Sequence, residues 1–142
     1  MRYGVTRKNP LWIVFAKDMI IKLQMPLIVT SQKTIDARGA KVQIGNGPCL
    51  RIDNVNNAII HGLQISDRVP NARVNVRVAE GNGGVQLMDA RDGDAISVTG
   101  STDIWIDHNT LSKCEDGLLD VTLGSTAVTI SNNHFFNHDK AS

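Results

Sequence analysis

Apolar and polar positions alternate along this chain in short runs, rich in β-branched residues and closed off by Gly, Asn, Asp or Ser. The pattern predicts strands over residues 11–15, 20–23, 27–29, 33–35, 42–44, 49–52, 58–61, 96–99, 104–107, 121–123 and 128–131. No segment shows the apolar period of an amphipathic helix. The chain reads as all-β.

The strands also recur. Residues 92–112, DGDAISVTGSTDIWIDHNTLS, align without a gap on residues 116–136, DGLLDVTLGSTAVTISNNHFF, an offset of 116 − 92 = 24. Identities fall at Asp92/Asp116, Gly93/Gly117, Gly100/Gly124, Ser101/Ser125, Thr102/Thr126, Ile106/Ile130 and Asn109/Asn133. Such a period marks a solenoid, in which each coil buries its apolar face only against its neighbours. Ala58-Ile59-Ile60-His61-Gly62 resembles Ile104-Trp105-Ile106-Asp107-His108, a spacing of two coils if each turn takes about 22–24 residues. One domain over residues 1–142 is expected, with an irregular loop excursion near 68–90 where Pro70, Gly81, Gly83 and Gly84 accumulate. Its arginines, Arg68, Arg73 and Arg77, read as solvated.

The acids give the solenoid a chemistry. Equivalent residues of adjacent coils lie about 4.8 Å apart, which would set Asp116 beside Asp92, with Asp94 and Asp120 flanking them. No lysine or arginine lies between residues 92 and 112. Like charges so close repel unless a hard divalent cation is bound among them, and calcium fits an all-oxygen set. Asn109 above Asn133 reads as an amide ladder joining coils. Trp12 and Trp105 read as core or stacking aromatics, given their apolar neighbours. Asp107 and His108, adjacent on a strand, should point to opposite faces, and His61, His134 and His138 lack metal-ligand spacing.

Charge and cysteine content narrow the partners. Lys and Arg total 15 against 14 for Asp and Glu, so bulk charge gives no case for nucleic acid or an acidic membrane. The longest apolar stretches are too short to span a bilayer, and Met1 is followed by Arg2-Tyr3-Gly4, not by an apolar leader. Cys49 and Cys114 form no CxxC motif; two reduced core thiols or one disulfide are both open.

Six ordered segments carry a resemblance: PLWIVF at 10–15, KTIDARGAKVQIGNGPC at 33–49, IIHGLQI at 59–65, DGDAISV at 92–98, WIDHNTLSKCEDGLLDV at 105–121 and TISNNHFFNHDK at 129–140. Together they resemble plant pectate lyases, in particular the pectate-lyase-like pollen allergens. The resemblance implies a right-handed parallel β-helix and calcium-dependent β-elimination of polygalacturonate. It implies calcium ligands at Asp92 or Asp94, Asp116 and Asp120, and a substrate lysine at Lys140. It further implies secretion to the cell wall or pollen surface, and a monomer when the β-helix is complete. The family's base is an arginine well downstream of the lysine, and no arginine in residues 1–142 matches it, so this chain alone is expected to be inactive. Exposed parallel edges at the two ends of the solenoid are expected to make it prone to self-association. Arg68 stands where the family has a cysteine paired with the counterpart of Cys49, which leaves Cys49 unpaired. Ala37 replaces a glycine of the family's turn, a strain of about 1 kcal/mol if that residue needs a positive φ. Two alternatives remain open. One is a non-catalytic allergen-like or pectin-binding relative; the other is a β-helical glycoside hydrolase using Asp92, Asp94 and Asp116 with water, which chelation would spare.

Overall fold

A computed structural model describes residues 1–70, 72–79, 84–88 and 93–140. Strands follow one another around a coil in threes. β1 (Leu11–Val14), β2 (Met19–Lys22) and β3 (Leu27–Ile28) make the first coil, and β4 (Lys33–Asp36), β5 (Val42–Gly47) and β6 (Leu50–Asp53) the second. The third holds β7 (Asn56–His61) and β8 (Gln64–Arg68), then an excursion with β9 (Val74–Arg77) and β10 (Val85–Met88), then β11 (Ile96–Thr99). β12 (Thr102–Asp107), β13 (Thr110–Ser112) and β14 (Leu119–Thr122) form the fourth, and β15 (Thr126–Ser131) and β16 (His134–Phe136) begin the fifth. Like strands of successive coils pair in parallel, giving three sheets ordered β1-β4-β7-β12-β15, β2-β5-β8-β13-β16 and β3-β6-β11-β14. This is a right-handed parallel β-helix, as expected.

Inward positions stack like on like. Ile13, Ile35, Ile60, Ile106 and Ile130 form one column, and Ile21, Ile44, Ile65, Leu111 and Phe135 another. Leu27, Leu50, Ile96 and Leu119 line the third sheet. Side chains at the middle of these columns are wholly removed from water, which is why β-branched residues recur there. At the first coil the chain does not begin in a strand: one turn of helix, α1 (Arg2–Val5), buries Val5, while the Arg2 guanidinium donates to the Met25 and Pro26 carbonyls at 2.7 and 2.6 Å.

Two expectations of spacing are corrected. Ala58 pairs directly with Ile104 and His61 with Asp107, so their similarity spans one coil, not two. The excursion after β8 supplies the extra length. The 24-residue period holds where Asn109 meets Asn133, but Thr99 lies 23 residues from Thr122. An extra residue in the corner Leu123-Gly124-Ser125, against Gly100-Ser101 one coil earlier, absorbs the difference. The excursion itself is more regular than expected: β9 and β10 pair antiparallel, Val74 opposite Met88 and Arg77 opposite Val85, with Val76 fully buried. Strands β8, β13 and β16 escaped the sequence reading because β8 is mostly polar and β13 and β16 have three residues each.

Arg68 is not solvated. It is 1% exposed at the end of β8, opposite Gly47, and its guanidinium donates to the Pro48 carbonyl, while Nε and Nη2 lack hydrogen-bond partners. Both cysteines are free. Ala37 carries no left-handed strain, for Gly39 takes the positive φ of that turn at 81°.

The amide ladder is present and buried. Asn109 is 1% exposed; its Oδ1 accepts from Leu63 N–H at 2.9 Å and its Nδ2 donates to the Ile60 carbonyl at 2.9 Å and to Asn133 Oδ1 at 3.1 Å. Asn109→Ala strands two main-chain groups away from water and should cost about 2–4 kcal/mol in urea-melt stability. The half-buried Asn133 should cost less on the same substitution. Burial pushes the Cys49 thiol up to about 12 and the Cys114 thiol to about 11. At pH 8 the native thiolate fraction of Cys49 is then about 10⁻⁴. A disulfide-exchange reagent should label Cys49 only on unfolding, and labelling of the folded chain at a free-thiol rate would contradict this burial.

Candidate functional site

Alternation along the third sheet turns Arg51, Ser97 and Asp120 outward in one row, and Asp53, Thr99 and Thr122 in the next. A shallow cavity of about 220 Å³ on this face is lined by Cys49, Arg51, Asp94, Ser97, Thr99, Asp120, Thr122 and Leu123. Asp120 also borders a larger one, about 400 Å³, with Gly117, His138 and Lys140 among its walls.

Asp94 stands just before β11 and is 8% exposed; its Oδ1 accepts from Gly117 N–H at 2.6 Å. Ala95 N–H donates in turn to the Gly117 carbonyl at 3.1 Å, which fixes this corner to the coil above. A Cβ placed on Gly117 would lie 2.7 Å from Asp120 Oδ1 and 2.9 Å from Asp94 Oδ1. Two carboxylates thus converge on the point a side chain would fill. Asp116, next in the chain, accepts from Lys140 Nζ at 2.6 Å. Lys140 is more than half exposed and Asp116 about a quarter. Asp92 lies outside the described residues.

The sequence predicts Asp116 beside Asp92 at the centre of the acids, with Asp94 and Asp120 at their flanks. In the structure Asp94 and Asp120 form the tight pair and Asp116 turns toward Lys140. The cluster is not without cations either. Arg51, 6% exposed, lies in the same cavity, ion-paired to Asp53 at 2.5 Å. The sequence offered no signal for Arg51, since it comes from two coils below; a repeat-column register was needed. Gly117 was visible only as a repeated glycine, and its use is the room it leaves. Met88 of β10 touches the Arg51 guanidinium at 3.9 Å, so the excursion does border this face.

Chemically the donors are hard: carboxylate oxygens from three residues of adjacent coils, with a glycine keeping the space between them open. Such a set suits calcium and not a metal that prefers nitrogen or sulfur. Asp94, Asp116 and Asp120 are the described residues able to hold it.

A second outward face, on the first sheet, carries Trp12 and Trp105, 62% and 44% exposed. They are not core residues, which rules out one of the two readings expected for them. They flank a cavity of about 320 Å³ lined further by Thr34, Asp36, Arg38, Ile59 and His61. The Arg38 guanidinium, hydrogen-bonded to Asp36 at 2.5–3.0 Å, holds that carboxyl below the usual carboxylate range. No described helix is long and apolar enough to cross a membrane.

A family profile described as pectate lyase matches residues 21–142. Pectate lyase 1 of Chamaecyparis obtusa is 55% identical over 141 residues, which cover 99% of this chain and 37% of that protein. Probable pectate lyase 9 of Arabidopsis thaliana is 54% identical over 140 residues, 99% of this chain and 30% of the relative. The crystal structure of jun a 1, the major allergen from cedar pollen, superposes with a TM-score of 0.94 at 55% identity, covering 97% of this chain and 40% of that one. This chain spans well under half the length of these relatives. On its sequence and on its coils alike, the chain belongs to the pectate lyase family.

Proposed function

We propose that these residues form the cation and substrate side of a calcium-dependent lyase acting on polygalacturonate in the extracellular space. The observation that carries the reading is the convergence of Asp94 and Asp120 over Gly117 in a chain of this family. Asp94, Asp116 and Asp120 hold the cation. Bound calcium supplies a Lewis acid that draws electron density from a uronate carboxylate and so acidifies the neighbouring C5 proton.

The chain's own residues do the rest of the positioning. Lys140, a point charge 2.6 Å from Asp116, pairs the uronate carboxylate as negative charge develops on it. Arg51 adds a positive charge to the cavity it lines with Asp94 and Asp120, held by Asp53. β-Elimination removes the C5 proton to a base and expels the C4 oxygen, leaving a C4–C5 double bond without consuming water. The family's base is an arginine beyond the lysine. No arginine of residues 1–142 matches its motif, so these residues by themselves should hold substrate and turn it over at least ~10²-fold more slowly than a relative with the base. A non-catalytic, pectin-binding role for this segment rests on that same observation.

Trigalacturonate, followed by calorimetry, is expected to bind residues 1–142 only with calcium present, with little ultraviolet absorbance from unsaturated product. Binding that survives chelator would refute the calcium reading. Chelator-sensitive product would show that a base lies within residues 1–142. Gly117→Ala places a methyl among the Asp94 and Asp120 oxygens and should lower calcium affinity by about tenfold or more, with the melting curve little changed, because Gly117 has no positive φ to lose.

A further inference from the structure

The last outward column of the first sheet reads Val14, Asp36, His61, Asp107 and Ser131, and its centre holds a cluster far in sequence from the acids already described. Asp107 is 3% exposed and has no lysine or arginine partner among the described residues. Its Oδ2 instead faces two imidazoles: His61 Nδ1 at 2.9 Å from the coil below, and His108 Nδ1 at 2.7 Å from the next residue. The sequence reading placed Asp107 and His108 on opposite faces. His108 is left-handed, with φ 53°, so strand alternation fails there and its ring folds back over Asp107.

We infer that His61, Asp107 and His108 form a binding site for a zinc ion, separate from the carboxylate site and built from different donor chemistry. Their three ligand atoms lie within 4.8 Å of one another, and two imidazoles with one carboxylate are a donor set zinc takes and calcium does not. The support behind the ligands is in place. Asp107 Oδ1 accepts from Ser131 Oγ at 2.7 Å and Asn132 Nδ2 at 3.1 Å, which orients the carboxylate from the coil above. His61 also lines the cavity of about 320 Å³ beside Trp12 and Trp105, so an ion has an entry path and the cavity side stays open to water or an exogenous ligand. Zinc would take the Nδ1 lone pair of each ring, whose remaining proton would then sit on Nε2, so that each imidazole binds as a neutral ligand.

The test is zinc competition against a chromophoric chelator at neutral pH on residues 1–142. One equivalent should bind, insensitive to excess calcium. His61→Ala and His108→Asn should each weaken it at least tenfold, whereas the double change His134→Ala with His138→Ala should leave it as it was. Asparagine is chosen for His108 because Asn132 occupies the equivalent corner one coil on, also left-handed at φ 54°, so the variant should keep its fold. Cobalt substitution gives a second readout, a visible d–d band lost in both His61 and His108 variants. No zinc held, or zinc held equally by those variants, would overturn the assignment.

Discussion

A coil can stack on the next only if both turn their corners at the same place, and in this chain a left-handed residue marks the turn. Gln32, Asn57, Asp103 and Ala127 occupy one such corner in four successive coils, all with φ between 49° and 65°. Asn46, Asp67, Lys113 and Asn137 share a second, and Asn54, Gly100 and Leu123 a third. A non-glycine residue pays roughly 1 kcal/mol or more for this backbone, least when it is Asn or Asp. The corner columns account for Asn46, Asn54, Asn57 and Asn137; Asn109 over Asn133 is the amide ladder among the described residues, and neither of those has a positive φ.

Corners and register together decide what the outside of the β-helix presents. Once a column is fixed inward by Ile or Leu, its neighbours must point out, one above another at a strand spacing of about 4.8 Å. Polar groups brought so close need compensation, and the two faces solve this differently. The third sheet sets Arg51 and Asp120 in one row and gives Asp116 to Lys140. On the first sheet Asp36 takes Arg38, while Asp107 takes two histidines and the hydroxyl and amide of the coil above.

Much of this was legible from the chain alone. The β-branched runs gave most strands, and the self-match gave the coil. Acids at Asp94, Asp116 and Asp120 were legible as a cluster because the repeat brings distant residues level. What escaped has a physical pattern. Strands such as 110–112 are too short and polar to show alternation. Arg51 joins the acids from another coil, which no local window contains, whereas Lys140 was legible through the family resemblance. Arg68 looked solvated because nothing in a run of loop residues announces burial. His108 looked opposed to Asp107 because strand alternation presumes a negative φ, and the corner supplies a positive one.

The single-residue change of period matters most for the carboxylates. Carried through β11 and β14, the 24-residue period would set Asp120 level with Ile96, a core position, and a one-residue slip turns every side chain of a strand to the other face. The actual register sets Leu119 on Ile96 and Asp120 on Ser97, so the leucine enters the core and the carboxylate goes outside. The slip also brings Gly117 N–H to Asp94, which draws the two acids to one point. Restoring the longer period two residues past β14, at the corner of Leu123, returns β15 to its columns. The energetic reason for the shorter spacing is thus the hydrophobic column itself: Leu119 enters the core and Asp120 stays outside, the extra corner residue is Gly124, which takes its φ of 72° without a Cβ clash, and the acid site follows from that packing.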